Sequence, residues 1–140
     1  MDINECLEKG YLTKIKPAKD LVEKEFNEAK YDLDKADKAF NDEDYKWCIV
    51  KAYYCIFHSG RALLFKLGYR EKRHFAIGVV LEKLNKEGKL EAKYVDYFNA
   101  AVSSREDADY HYVYSKEIAE HNLELGGDFL KKMKELVNKV

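Results

Sequence analysis

One stretch constrains the fold more than any other. Residues 44–68 read DYKWCIVKAYYCIFHSGRALLFKLG, with apolar side chains on almost every side of a helix drawn through them. A helix without a polar face must be surrounded by protein. This segment, from about Asp44 to Leu67, is therefore the expected centre of a helical bundle. The run Asn41-Asp42-Glu43-Asp44 supplies a cap and first-turn acids at its start, and Gly68 is placed to end it. Tyr54, Phe57, Leu64 and Phe65 are expected to be packed by the helices around it.

Those surrounding helices follow from apolar periodicity. Val22, Phe26, Ala29, Leu33, Ala36 and Phe40 step by four and three, which predicts a helix from about Lys19 to Phe40 with one narrow buried face. Ile77, Val80, Leu81 and Leu84 predict another over Phe75–Lys86, stopped at Gly88. Tyr94, Tyr97, Phe98, Ala101, Arg105 and Ala108 mark a helix from about Leu90 to Asp109. Ser115 caps a last helix carrying Ile118, Leu125, Phe129, Met133, Leu136 and Val140. Gly126-Gly127 in its middle costs about 1 kcal/mol per glycine against alanine, so a neighbouring helix should approach closely there. Residues 3–13 form a short helix or an arm, ended near Lys16-Pro17 because a residue before proline avoids the α region. One proline and seven glycines argue against a turn-rich β fold. The expectation is an all-α, up-and-down bundle of four or five helices. It is one domain over 1–140, with 1–17 as the N-terminal helix or arm.

Charge and cysteine usage narrow the functional classes. A net charge of −1 gives no global field for nucleic acid, so a polyanion site must be local. Lys66, Arg70, Lys72, Arg73 and His74 form one such cluster, readable as a solvated loop or as an anion site. The start MDINECLEKG lacks the pattern of a secretory leader. The longest uncharged run in the apolar region, Ala52–Gly60, falls far short of the roughly 20 residues that span a bilayer. Three cysteines do not suggest a disulfide framework. Cys48 and Cys55 would stand about 10 Å apart along a helix, too far to bridge, and Cys6 reads as an ordinary thiol. A reduced, cytoplasmic setting is expected, with no membrane contact. Glu-x-x-His occurs once, Glu71 to His74, whereas a di-iron bundle needs it on two helices. With no Cys-x-x-Cys, His-Glu-x-x-His or phosphate-binding glycine loop, no metal or cofactor site is expected.

Two arginines break the apolar pattern. Arg61 lies inside the most apolar helix between Phe57 and Phe65, and Arg105 fills a slot that Ala101 and Ala108 mark as inward. A buried charge is costly unless paired. Each should meet a carboxylate, with Glu106, Asp107 and Asp109 as candidates, or open into a polar cleft. His58, one turn after Tyr54, shares Arg61's side of the helix. His74 opens a helix, where an unfilled N-terminus can receive an anion. Ser103-Ser104-Arg105-Glu106-Asp107-Ala108-Asp109-Tyr110-His111 is dense in groups that bind or move protons.

The segment Ala52-Tyr53-Tyr54-Cys55-Ile56-Phe57-His58-Ser59-Gly60-Arg61-Ala62-Leu63-Leu64 closely resembles the signature helix of the HEPN domain family. So do Arg105-Glu106-Asp107-Ala108-Asp109-Tyr110 and His74 at the opening of its helix. The likeness runs from about Asp20 to Val137 and points to the small stand-alone prokaryotic branch. It implies a helical bundle that dimerises, in keeping with eleven tyrosines suited to interfaces. Many such relatives are RNA-cleaving toxins partnered by a small nucleotidyltransferase antitoxin. Their motif is Arg, four to six residues, then His, and five residues separate Arg105 from His111 here. The resemblance implies metal-independent chemistry in which the ribose 2′-hydroxyl attacks its own phosphate. His111 would then move the proton and Arg105 hold the phosphate. Arg61, His58, Tyr54, Asp109, Tyr110, Tyr114, Arg73 and His74 would contribute to binding RNA or a nucleotide. The alternative is a non-catalytic nucleotide- or partner-binding module. On a continuous helix Arg105 and His111 would stand about 120° apart. They converge only if the helix ends near Tyr110 or a partner subunit completes the site.

Overall fold

The computed structural model describes residues 1–140, and the apolar segment lies at its centre. This helix, α3 (Tyr45–Leu67), buries Ile49, Ile56, Phe57, Leu63, Leu64 and Phe65 among its neighbours. Asp44 caps it by accepting from the Trp47 amide at 3.3 Å. Gly68 closes it in the left-handed region (φ 87°), its N–H reaching back to the carbonyls of Leu64 and Phe65. A residue with a Cβ would be strained at that angle.

Around α3 pack α2 (Lys19–Asn41), α5 (Ala92–Tyr110) and α6 (Lys116–Val137). The shorter α4 (Phe75–Lys86) packs mainly on α5. The main core joins Ile56, Leu64, Ile77, Leu81, Phe98 and Phe129, all at most 1% exposed. Each such side chain contributes about 1.5–3 kcal/mol on burial, so the bundle is held from its axis outward. At Gly126 a Cβ would sit 3.4 Å from Leu33 Cδ1 and 3.7 Å from the Ala52 carbonyl oxygen. The expected close approach is thus found at Gly126. Gly127 faces open space and its cost is not offset by packing.

Three expectations need correction. Tyr54 is only half-buried, because it lies on the one stripe of α3 left open between its neighbours, with Lys51, His58 and Arg61. The N-terminal arm divides into a short helix α1 (Ile3–Glu8) and a strand β1 (Leu12–Lys14). That strand pairs antiparallel with β2 (Tyr69–Glu71), Leu12 opposite Glu71 and Lys14 opposite Tyr69. Part of the basic 66–74 stretch is therefore strand and not loop. Docking of Leu12, Ile3 and Cys6 into the core explains why the arm is held there.

The three cysteines are free and buried. Burial pushes the thiols of Cys48 and Cys55 up to about 12, which leaves them without thiolate reactivity. No helix is long and apolar enough to cross a membrane.

Candidate active site

The polar groups along the open side of α3 fall into two sets with different degrees of satisfaction. The first surrounds Arg61. Its Nε and one terminal nitrogen donate to Glu71 Oε1 and Oε2 at 2.8 and 2.9 Å, a bidentate fork. Glu25 Oε1 lies 3.6 Å from the other terminal nitrogen. Glu25 also bonds His58 Nδ1 at 2.6 Å, and His58 Nε2 stands 3.6 Å from Asp32. Burial pushes the Asp32 carboxyl up, opposed by His58 and by Lys51 at 4.0 Å. Arg61 thus meets carboxylates, as its position required. They come from α2 and β2 and not from Glu106, Asp107 or Asp109. Its guanidinium also lies 4.4 Å from the Phe57 ring centroid.

The second set lies where α3, the start of α4 and the last turns of α5 meet. Tyr53, 2% exposed, hydrogen-bonds His74 Nδ1 at 2.6 Å through its hydroxyl. The centroid of the His74 ring lies 4.2 Å from that of Phe57, and the residue as a whole is exposed. Burial against that ring lowers the His74 pKa, Glu71 opposes the shift, and the positive charges of Arg61 and Arg105 add to it. Burial likewise pushes the Tyr53 phenol up to about 12. Arg105 completes this set, its guanidinium 5.6 Å from the Tyr53 centroid and 5.8 Å from the Tyr110 centroid. Arg105 Nε stands 3.0 Å from Asp109 Oδ2, yet its N–H is not aimed at that oxygen. The contact is an ion pair and the buried Nε–H lacks a hydrogen-bond acceptor. A cleft of about 230 Å³ opens here, lined by Tyr53, His74, Phe98, Asn99, Arg105 and Glu106.

His111 goes elsewhere. Helix α5 ends at Tyr110, as convergence required, but the imidazole turns back to Asp107 Oδ1 at 3.1 Å. Asp107 lies about 200° around the helix from Arg105, so within one chain the two residues do not share a cleft. The side chain of His111 is 66% exposed. The turn after it bends through Tyr112 in the left-handed region (φ 57°) and leaves Tyr110, Tyr112, Val113 and Tyr114 open to solvent. Ser104 and Asp107 line a separate groove with Glu117 and His121. Arg73 is exposed beside His74. No three His, Cys, Asp or Glu side chains converge closely enough to hold a metal ion.

Of the residues singled out in the sequence, Arg105, Asp109, Tyr110 and His74 surround one rim. His58 and Arg61 belong to the carboxylate network, with Tyr54 against the His58 ring. Tyr53, Glu25, Glu71 and Asn99 were not anticipated as site residues. The partners of Tyr53, Glu25 and Glu71 lie ten or more residues away in the chain, beyond any local spacing signal.

Comparison with known proteins bears on the family of the chain as a whole. The HEPN domain family matches residues 22–138. A protein of Methanocaldococcus jannaschii named "Putative toxin MJ0142" is 30% identical over 116 residues, spanning 81% of this chain and 79% of its own.

Proposed function

We propose that this chain, which belongs to the HEPN domain family, is the toxin of a toxin–antitoxin pair and cleaves RNA without a metal. The observation that carries the reading is Arg105: an arginine held on a rim by two aromatic rings and one carboxylate, with hydrogen-bonding capacity left over. The likeness to a relative named as a toxin supports the same direction.

In this reading the ribose 2′-oxygen bonds to phosphorus as the bond to the 5′-oxygen breaks. The products are a 2′,3′-cyclic phosphate and a 5′-hydroxyl. Arg105 binds the phosphate with its planar fork and His111 moves a proton, a task to which imidazole is suited. Asp109 and Tyr110 hold the guanidinium in place. Because His111 turns away from Arg105 within one chain, the site is completed in a homodimer. The exposed Tyr110, Tyr112, Val113 and Tyr114 supply the contact, and Tyr114 faces the composite site. A nucleotidyltransferase antitoxin would silence the toxin by covering the same segment. A cytoplasmic setting follows from such a substrate and partner.

Incubation of wild-type, Arg105→Ala and His111→Ala proteins with a mixed RNA pool tests this. Wild type should leave cyclic-phosphate ends with or without chelator, and neither variant should. Silence of the wild type across many RNAs would favour the second reading, a non-catalytic nucleotide- or partner-binding module. The His111–Asp107 pairing is the observation that favours it.

A further inference from the structure

The second set of polar groups contains donors without acceptors. Tyr53 Oη makes its one hydrogen bond to His74 Nδ1 at 2.6 Å, and a phenol with its pKa pushed up to about 12 keeps its proton. Buried, that hydroxyl must donate, and Nδ1 is the acceptor in reach. The proton of a neutral His74 therefore sits on Nε2, which makes no hydrogen bond within the chain, and His74 as a residue is exposed. Protonating Nδ1 as well would leave the buried Tyr53 hydroxyl without an acceptor, so Tyr53 favours the neutral ring. Arg105 Nε–H is likewise without an acceptor, although buried. His74 and Arg105 line the same cleft, together with Asn99. A buried donor left unsatisfied is costly, and the oxygens of an anion would give the donors of this cleft their acceptors.

We propose that the cleft of His74, Asn99 and Arg105 receives the non-bridging oxygens of an RNA phosphodiester, with His74 as a neutral Nε2–H donor whose tautomer Tyr53 fixes. The inference rests on the ribonuclease reading and deepens it. His74 would stabilise negative charge as the 2′-oxygen attacks and the 5′-oxygen leaves, without itself gaining or losing a proton. His111 and solvent carry the protons. Tyr53 acts only through His74 and is a positioning residue. The Glu106 carboxylate at the mouth opposes a free phosphate dianion more than a diester monoanion, so the cleft favours phosphate presented within a chain.

The test uses the full chain with two probes: a cleavable RNA and its 2′-O-methyl counterpart, which binds but cannot react. His74→Ala should lower the cleavage rate about 100-fold, as loss of one oxyanion donor does. It should weaken binding of the 2′-O-methyl RNA roughly tenfold, the worth of a hydrogen bond to a charged group. His74→Gln, which offers an amide N–H near the position of Nε2, should recover most of that affinity. In ¹⁵N NMR the wild-type His74 should be the Nε2–H tautomer, and Tyr53→Phe should turn it into a mixture. Melting curves establish which variants fold; if His74→Ala does not, His74→Gln and Tyr53→Phe carry the test through the tautomer and the rate. Wild-type binding and cleavage by folded His74→Ala would overturn the inference and leave the ribonuclease reading standing. If the wild type cleaves no RNA, that reading falls and binding decides. Weakened binding in both His74→Ala and Arg105→Ala retains the cleft as a phosphodiester site. Unchanged binding, or no binding by wild type, removes it.

Discussion

Arg61 and Arg105 are exposed to a similar degree, 22% and 26% of their side chains, yet their surroundings differ. Arg61 is fixed by a bidentate carboxylate, a second carboxylate at 3.6 Å and an aromatic face. Arg105 has a single misaligned carboxylate and two rings, and a buried donor remains unpaired. A cation whose fork is already filled ties α2, α3 and β2 together. It could bind a phosphate only by giving up Glu71. A cation with unspent donors on an open rim contributes less to folding and is free to meet a substrate. The two carry the same charge, and the difference lies in how many of their donors the fold has used.

The largest effect expected from this contrast is on turnover. His111→Ala should reduce RNA cleavage by about 10²–10⁴, the usual contribution of a proton-moving group, with unfolding curves unchanged. Arg105→Ala should lower both rate and binding while shifting stability by less than about 1 kcal/mol, the worth of a partly exposed ion pair. A large loss of stability in Arg105→Ala with intact cleavage would erase the distinction.

Next in size is Arg61. Arg61→Ala leaves Glu71, 4% exposed at its side chain, without its partner. Breaking a buried pair in this way costs about 3 kcal/mol, the low end for such pairs because Arg61 is not fully buried. Urea unfolding measures the loss. A change of only a few tenths would show that the network is ornamental to stability and return Arg61 to the list of possible phosphate ligands.

A smaller effect concerns assembly. Tyr112→Ser with Tyr114→Ser removes two exposed rings from the α5–α6 turn and should shift light-scattering mass from dimer toward monomer without changing the melting temperature. A wild-type monomer at tens of micromolar would contradict the dimer outright.

The smallest effect is a pH slope. The folded pKa of His74 lies below its ordinary value, so on acidification the unfolded chain takes up this proton first. The stability contribution is full above about pH 6.5 and is lost as pH falls through the lowered folded value. Asp32, whose carboxyl is pushed up by burial, opposes this trend by protonating earlier in the folded chain. The comparison of His74→Gln with wild type isolates the histidine: the variant should lose less stability between pH 7 and 5. A steeper loss in the variant would mean that the ring is charged and paired in the fold.

Much of the fold was legible because it is written in short-range periodicity. The helix over Phe75–Lys86 has the expected limits, and the central helix is the most buried element, since a segment apolar on all sides has nowhere else to go. The β1–β2 pairing was not legible, because three-residue strands carry no usable alternation and join residues far apart in sequence. The same reason hid the partners of the site. Arg61 could be seen to need a carboxylate, but nothing local pointed to Glu71 or Glu25. Tyr54 drew attention through its place on a helix stripe, while the buried Tyr53 beside it makes the polar contact with His74. The ending of α5 at Tyr110 was foreseen as a condition for Arg105 and His111 to meet. The turn of His111 back to Asp107 depends on side-chain geometry that spacing does not encode.

Mixing two inactive subunits tests most directly whether Arg105 and His111 work together across a dimer. Arg105→Ala and His111→Ala proteins, each without RNA cleavage alone, are combined, unfolded and refolded together. In a symmetric dimer with Arg105 from one copy and His111 from the other in each site, half of the refolded dimers are mixed and each holds one intact site. The account predicts recovery of about a quarter of wild-type cleavage. No recovery, with mixed dimers demonstrated by mass, would contradict it.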